Sequence, residues 1–138
     1  MNINSIILVF VFFLVAGNMA YVADGKASFY SDRMQGRPTA SGERYDKTQL
    51  TAAHASLPFN TRLLVTNVKN GKSVVVKVND RMSRTRHTII DVSKAAALQL
   101  DIVREGIGSV QVRELKDEEA TQQDVPGTVS EAEAITND

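Results

Sequence analysis

Two apolar runs separated by Asn70-Gly71 constrain the fold of this 138-residue chain more than any other feature. Residues 62–68 and 73–78 are rich in valine and leucine and have the length of strands. Asn-Gly between such runs is a strong hairpin signal, because both residues tolerate a positive φ. The sequence therefore predicts a β-hairpin here.

Three more segments have the composition of strands, at residues 26–30, 88–92 and 109–115. One helix is indicated, since Ser93 is a favourable N-cap and the alanine-rich residues after it are strong helix formers, with an end near Val103. Several short strands with one helix, and no regular alternation of the two, favour a mainly β fold. We expect a small β-barrel rather than a Rossmann-like sheet.

The length of the chain predicts one domain, placed at residues 24–116, with a segment on either side. Residues 1–20 carry no charged side chain and include an apolar run of 11 residues from Ile6 to Ala16. A bilayer-spanning helix needs about 20 residues, so this run predicts an export signal. An uncleaved anchor or a buried first helix is the alternative.

Charge and cysteine content restrict the possible partners. Residues 21–116 carry 16 Lys and Arg against 9 Asp and Glu, whereas residues 117–138 carry 7 acids and no base and are predicted to be a disordered tail. A basic domain suits an anionic polymer, and export favours a cell-wall glycan over nucleic acid, unless the charge serves solubility alone. The chain has no cysteine, so we expect no disulfide, no thiolate chemistry and no lipid anchor on cysteine.

Asp80 stands at the end of the second apolar run. Strict strand alternation would place it on the same face as Val74, Val76 and Val78. A carboxylate there must find partners or keep its proton, and a carboxyl that stays protonated near neutral pH is a general acid. Asp80 is therefore the leading candidate for catalysis.

Other candidates lie in loops. Residues 36–46 combine glycines, a proline and charges, which is typical of loops that line sites. Glu43 and Asp46 would face one cleft if this segment formed a helical turn, and would otherwise be solvated charges. His54, in a locally apolar setting, is either a satisfied structural histidine or a proton shuttle. His87 is predicted to lie in a solvated basic loop.

Other chemistries find little support in the sequence. Two histidines and no cysteine give no recognisable metal-ligand spacing, and no glycine-rich loop precedes a helix, so neither a metal nor a cofactor is predicted. Ser41, His54 and Asp80 could form a triad, but no Gly-x-Ser-x-Gly elbow supports it. Nucleic-acid binding lacks the interleaved aromatic residues that single-strand binders use.

Several collinear segments together resemble the rare lipoprotein A (RlpA) family, namely residues 25–30, 36–46, 50–54, 57–61, 65–67, 78–81 and 89–97. The resemblance implies a six-stranded double-psi β-barrel with one or two short helices. It also implies an exported lytic transglycosylase that cleaves β-1,4 links in peptide-free strands of peptidoglycan and leaves 1,6-anhydro-N-acetylmuramic acid ends.

The family's functional positions match catalytic candidates of this chain, namely Glu43, Asp46, His54 and Asp80. The resemblance implies that Asp80 acts first as acid and then as base, that His54 and Asp46 tune or orient it, and that Glu43 stabilises positive charge near C1. We predict that residues beside these positions bind the substrate, namely Tyr45, Asn79 and Arg81.

The sequence departs from the family's pattern after Arg81, where Met82-Ser83 replaces the usual Gly-Pro. The sequence has no cysteine to carry the lipid found in many members, and we expect no glycan-targeting SPOR domain. The predicted partner is the glycan strand of peptidoglycan, with septal cell-division proteins as further candidates. The alternative is a non-catalytic, expansin-like module that binds cell-wall glycan, and the altered loop favours it.

Overall fold

A computed structural model describes residues 20–116, and six strands within them close into a barrel in the order β1-β5-β2-β4-β3-β6. The strands are β1 (Val22–Phe29), β2 (Thr51–Ala53), β3 (Arg62–Asn67), β4 (Ser73–Asp80), β5 (Thr88–Val92) and β6 (Gly108–Leu115). A 3-10 turn at Asp32–Met34 and one helix, α1 (Lys94–Leu100), complete the fold. This confirms the predicted mainly β, six-stranded barrel.

Strand β2 and the start of β1 differ from the sequence prediction. Composition alone did not indicate β2, which has three residues, and β1 begins at Val22, before the predicted domain start. The predicted tail lies outside the described residues, as does the predicted export signal except its last residue.

The strand pairing explains where the barrel bends. β1 pairs in parallel with β5, and β2 in parallel with β4, while the other pairs are antiparallel. Each parallel pair contains one register shift, which leaves Ile89 in β5 and Asn79 in β4 as extra residues. Such a bulge bends the strand and changes which face the following residues occupy.

The predicted hairpin joins β3 to β4, but residues 68–72 form a longer connection than a two-residue turn. Gly71 has a φ of 75°, whereas Asn70 does not have a positive φ. The Asn70 side chain donates to the Leu100 carbonyl at 3.2 Å and accepts from the Lys72 amide at 2.9 Å. These bonds tie the hairpin loop to the end of α1.

Helix α1 begins as predicted, with the Ser93 hydroxyl accepting a hydrogen bond from the Ala96 amide at 3.3 Å. It ends at Leu100, earlier than predicted, because Asp101 adopts the left-handed conformation with a φ of 57°. The helix directs Ala96 and Leu100 into the core. No helix within residues 20–116 is long and apolar enough to cross a membrane.

Two apolar clusters organise the barrel. The larger one fills the interior with alternating strand residues and the buried side of α1, which leaves the interior as a packed core. The smaller one, the tyrosine cluster, consists of Tyr30, Tyr45 and Ala53, with Met34 and Met82 packed against it. Ala52 lies in the first cluster and Ala53 in the second, so β2 separates the two.

Candidate functional site

Asp80 lies on the face opposite the core valines of β4, so the predicted strand phase is wrong. Val78 is fully buried and pairs with Ala52, but the register shift makes Asn79 an extra residue and pairs Asp80 with Ala53 of the tyrosine cluster. The bulge therefore carries the half-buried carboxylate out of the core and onto the face with the tyrosines.

Three donors hold the Asp80 carboxylate. Its Oδ2 accepts from the Tyr30 hydroxyl at 2.5 Å, and its Oδ1 accepts from the backbone amides of Ala40 and Arg81, both at 2.8 Å. The Ala40 contact joins the end of β4 to the loop of residues 36–46. The partners that a carboxylate in this position needs are thus present.

A second carboxyl lies in the same row of the sheet. Asp91 of β5 pairs with Ser28 of β1 on one side and with Ala53 of β2 on the other, and Ala53 pairs in turn with Asp80. Paired residues share a face, so Ser28, Asp91, Ala53 and Asp80 form one row across four strands. Because it contains two carboxyl groups, we call these residues the carboxyl row. The small side chain of Ala53 separates its two acids.

Asp91 differs from Asp80 in its surroundings. Its Oδ1 accepts one hydrogen bond, from the Ser28 hydroxyl at 3.0 Å. Burial, and to a smaller extent the charge of Asp80, raise the pKa of Asp91 to about 6, against the opposing effect of the Ser28 bond. Asp91 therefore keeps its proton at pH values up to about 6, where an ordinary aspartate is ionised.

Two stacked tyrosines lie beside the carboxyl row. The rings of Tyr30 and Tyr45 are 4.3 Å apart at an angle of 18°, and the Tyr45 hydroxyl accepts from the Lys94 amide at 3.1 Å. Burial is the main cause that raises the pKa of each tyrosine, and the bond to Asp80 raises that of Tyr30 further. Tyr30 therefore remains a hydrogen-bond donor at neutral pH.

His54 is 4% exposed, and its backbone amide donates to the Asp80 carbonyl at 3.2 Å, but its ring bonds to other residues. Its Nδ1 accepts from the amides of Ser56 and Leu57 at 3.1 and 3.0 Å. The ring proton must then be on Nε2, which lies 3.1 Å from the Tyr21 hydroxyl. Burial above all, and then the charges of Arg81 and Arg84, lower the pKa of His54. The ring is neutral and supports the turn after β2. The prediction that His54 tunes or orients Asp80 stays a prediction.

Glu43 and Asp46 do not form the helical turn considered from the sequence, because Arg44 between them lies in an extended bridge with Pro38. Both Glu43 oxygens lie 3.1 Å from Lys77 Nζ. Asp46 Oδ1 accepts from the amide and hydroxyl of Thr48 at 2.9 and 2.8 Å. The amide bond is the main cause that lowers the pKa of Asp46, which is ionised and fastened to its own loop.

The predicted substrate-binding residues are unequally accessible. Tyr45 and Asn79 are 2% and 3% exposed, so neither offers its side chain to a polymer on the surface. Arg81 is exposed, and its guanidinium carbon lies 4.2 Å from the centroid of the Phe59 ring. Arg81, stacked on Phe59, is thus the most accessible of the three predicted substrate-binding residues. The described residues contain no group of three or more acids and histidines that could hold a metal ion.

Comparison with known proteins identifies the family. The model of a family described as lytic transglycolase matches residues 22–112. The chain belongs to this family. A probable endolytic peptidoglycan transglycosylase RlpA of Treponema pallidum is 46% identical over 99 residues, which are 72% of this chain and 31% of that protein. The endolytic peptidoglycan transglycosylase RlpA of Pasteurella multocida is 42% identical over 116 residues, 84% of this chain and 37% of that protein.

The predicted membership of the RlpA family is thereby confirmed, although the chain spans only about a third of the length of these relatives. Among solved structures, the Streptomyces papain inhibitor matches with a TM-score of 0.57 and 23% identity over 70% of this chain and 96% of that one. An expansin of Clavibacter michiganensis matches with a TM-score of 0.57 and 24% identity over 70% of this chain and 52% of that one. These likenesses support the double-psi barrel fold alone.

The departure from the lytic transglycolase family's pattern lies beside the site. Met82, the residue at which the sequence was expected to depart from that pattern, is half-buried against the cluster of Tyr30, Tyr45 and Ala53. Its side chain therefore closes one edge of the tyrosine cluster immediately after Asp80. The loop keeps contact with the site in this chain.

Sequence reasoning missed Tyr30, Ser28 and Asp91. A signal for Asp91 was present, since it is the one charged residue in the strand of residues 88–92 and faces away from Ile90 and Val92, which are fully buried. No signal pointed to Tyr30, because only the barrel brings residue 30 next to residue 80.

Proposed function

We propose that this protein is an endolytic peptidoglycan lytic transglycosylase. The observation that carries the proposal is the carboxyl row, with its two unlike, half-buried acids on one face of a barrel that belongs to a lytic transglycolase family. Relatives named endolytic peptidoglycan transglycosylase RlpA support the same reaction.

The reaction requires what this site contains. The β-1,4 bond breaks when an acid protonates the leaving oxygen, positive charge develops at C1 of the muramic acid, and the C6 hydroxyl of the same sugar closes the 1,6-anhydro ring. Asp80 provides a carboxylate that accepts three hydrogen bonds, and Asp91 provides a carboxyl whose pKa burial raises to about 6. Two carboxyls in unlike surroundings are typical of acid and base pairs.

The proposed substrate is peptide-free glycan, whose muramic acid residues carry free lactyl carboxylates. The loop after β4 presents exposed cations at Arg81, Arg84 and Arg86, and the backbone of Arg81 contacts Asp80 of the carboxyl row. Cations attract such carboxylates, and a stem peptide would mask the charge. We expect faster cleavage of peptide-stripped sacculi than of intact sacculi.

The proposal extends to location and partners. An enzyme acting on the cell wall must be exported, which agrees with the predicted signal at residues 1–20 and places the mature protein in the periplasm or outside the cell. Peptidoglycan strands are the proposed partner. Septal cell-division proteins remain candidates, and they are testable by co-purification.

The decisive experiment incubates the purified protein with peptide-stripped sacculi and measures 1,6-anhydro products by mass spectrometry. Asp80→Asn should lower product release at least about 100-fold, because it removes the charge at the site but keeps the shape. Asp24→Asn, an exposed acid on β1, is the matched control and should cleave like the wild type.

Binding to the same sacculi, measured by sedimentation, separates the enzyme from an expansin-like binder. Asp80→Asn should sediment with the glycan as well as the wild type does. If wild-type protein sediments with the glycan yet releases no anhydro product, while a lytic enzyme used as positive control does, the proposed activity is refuted.

A further inference from the structure

We propose that Asp91 is the acid and then the base of this reaction, and that Asp80 is the carboxylate that faces the developing positive charge at C1. The inference rests on the proposed function and assigns to a residue outside the matched set the proton transfers that the family resemblance implied for Asp80. Asp91 is thus a catalytic residue, and Ser28 and Tyr30 are positioning residues.

The position of Asp91 is the first argument. Neighbouring strands lie about 4.8 Å apart, so the Cα atoms of Asp80 and Asp91, which flank Ala53, are about 10 Å apart. Both acids lie on the same face, one on either side of Ala53, which is itself buried in the tyrosine cluster, and each acid is half-buried. A glycosidic bond lying across this face would have one carboxyl near its oxygen and the other near C1.

The hydrogen bonds provide the second argument. Asp80 accepts three, from Tyr30, Ala40 and Arg81, and both of its oxygens are engaged. Asp91 accepts one, from Ser28 to Oδ1, and the described residues offer no donor to its Oδ2. Both oxygens of Asp80 are thus occupied as hydrogen-bond acceptors. Asp91 has one oxygen that can carry a proton to a substrate.

The groups around Asp91 also favour its protonated form. From β4 it faces the Asp80 carboxylate, from the end of β1 the Tyr30 phenol, and from the loop before β2 the Tyr45 phenol, while β2 contributes only Ala53. Burial and the negative charge of Asp80 raise the pKa of Asp91 to about 6, where an acid can both give and take a proton near neutral pH.

The proton balance closes without water. Asp91 gives its proton to the glycosidic oxygen, and the C1–O bond breaks with its electron pair moving to that oxygen, which becomes the 4-hydroxyl of the leaving sugar. The Asp91 carboxylate then removes the proton of the C6 hydroxyl as that oxygen bonds to C1. The 1,6-anhydro ring forms, and Asp91 is protonated again for the next cycle.

The test compares pH profiles of kcat/KM on peptide-stripped glycan for the wild type, Asp91→Asn, Asp80→Asn and Ser28→Ala. Wild-type kcat/KM should fall about tenfold per pH unit above about pH 6, where Asp91 loses its proton. Ser28→Ala removes a bond that favours the carboxylate, so the fall should move to higher pH. Asp80→Asn removes a charge that favours the proton, so the fall should move to lower pH.

Asp91→Asn should lose at least about 100-fold in kcat/KM, the usual contribution of general acid catalysis. Carbon-detected NMR titration of the Asp91 carboxyl provides a readout that needs no activity, and it should shift in the same two directions in Ser28→Ala and Asp80→Asn. A purely structural Asp91 would not move the pH profile. Circular dichroism checks that each variant is folded.

The outcomes separate this inference from the function beneath it. If the wild type cleaves and folded Asp91→Asn cleaves within tenfold of it, or if neither Ser28→Ala nor Asp80→Asn moves the profile, Asp91 is not the acid and the transglycosylase proposal stands. If the wild type releases no anhydro product, both are overturned.

Discussion

The side chain of Tyr30 connects Asp80 of the carboxyl row to Tyr45 of the tyrosine cluster. Its hydroxyl lies 2.5 Å from Asp80 Oδ2 and its ring stacks on Tyr45, whose own hydroxyl is fastened to the start of α1. A hydrogen bond to a charged group stabilises more than a neutral one, by about 1.5–3 kcal/mol. Tyr30 therefore fixes the direction of the Asp80 carboxylate.

Removing that hydroxyl should weaken both stability and catalysis. In Tyr30→Phe the stacked ring remains and only the bond to Asp80 is lost, so we expect the free energy of unfolding to fall by about 1–3 kcal/mol. We also expect kcat/KM to fall about tenfold, because Asp80 gains rotational freedom. Urea unfolding and the anhydro-product assay measure the two effects.

The matched control is Ser109→Ala, which removes the hydroxyl that accepts from Lys26 Nζ at 2.6 Å. This exposed bond lies away from the carboxyl row, so cleavage should be unchanged. Equal cleavage by Tyr30→Phe and wild type would show that Tyr30 does not position Asp80.

At the scale of elements, the turn after β2 depends on His54. The ring accepts two amide hydrogen bonds from residues 56 and 57 and is buried, so protonation would break both bonds. The pKa of His54 is lower in the fold than its ordinary value of 6.5, so the unfolded chain binds more protons below that pH. This contribution to stability is therefore present above pH 6.5 and is lost as the pH falls through the folded-state pKa.

We expect His54→Ala to lower the free energy of unfolding by about 2 kcal/mol at pH 7.5, because two amides lose their acceptor. The difference from wild type should shrink toward pH 5. Urea titrations at several pH values measure it, with the exposed His87→Ala as control, expected within about 0.5 kcal/mol of wild type. A difference that stays constant with pH would contradict a neutral, turn-supporting His54.

The sequence predicted the elements of the fold but not the two bulges in the parallel strand pairs. The hairpin, the helix start at Ser93 and five strands followed from local composition, and all are present. The phase of Asp80 failed because an extra residue at Asn79 leaves no trace in a run of alternating valines. The row from Ser28 to Asp80 depends on parallel pairing between segments far apart in the chain, which periodicity does not encode.

At the scale of the whole molecule, stability and function compete at Asp91. Its pKa is about 6 in the fold against 3.8 for a free side chain, so the folded state binds more protons than the unfolded chain between these values. Its effect on stability is therefore smallest below about pH 3.8, and the penalty grows as the pH rises from there to about 6 and is complete above it. Functional sites commonly carry such a cost in a fold that the remaining core stabilises.

Replacing the acid should therefore stabilise the protein while it abolishes cleavage. Asp91→Asn keeps the shape and the acceptor for Ser28 but cannot ionise, so at pH 7.5 we expect its free energy of unfolding to exceed that of wild type by on the order of 2 kcal/mol. Below pH 4 the two proteins should be equally stable. Thermal or urea unfolding across this range measures the difference, and Asp24→Asn should show none of this pH dependence. If Asp91→Asn were less stable than wild type at pH 7.5, Asp91 would stabilise the fold, which contradicts a residue kept for catalysis at a cost in stability.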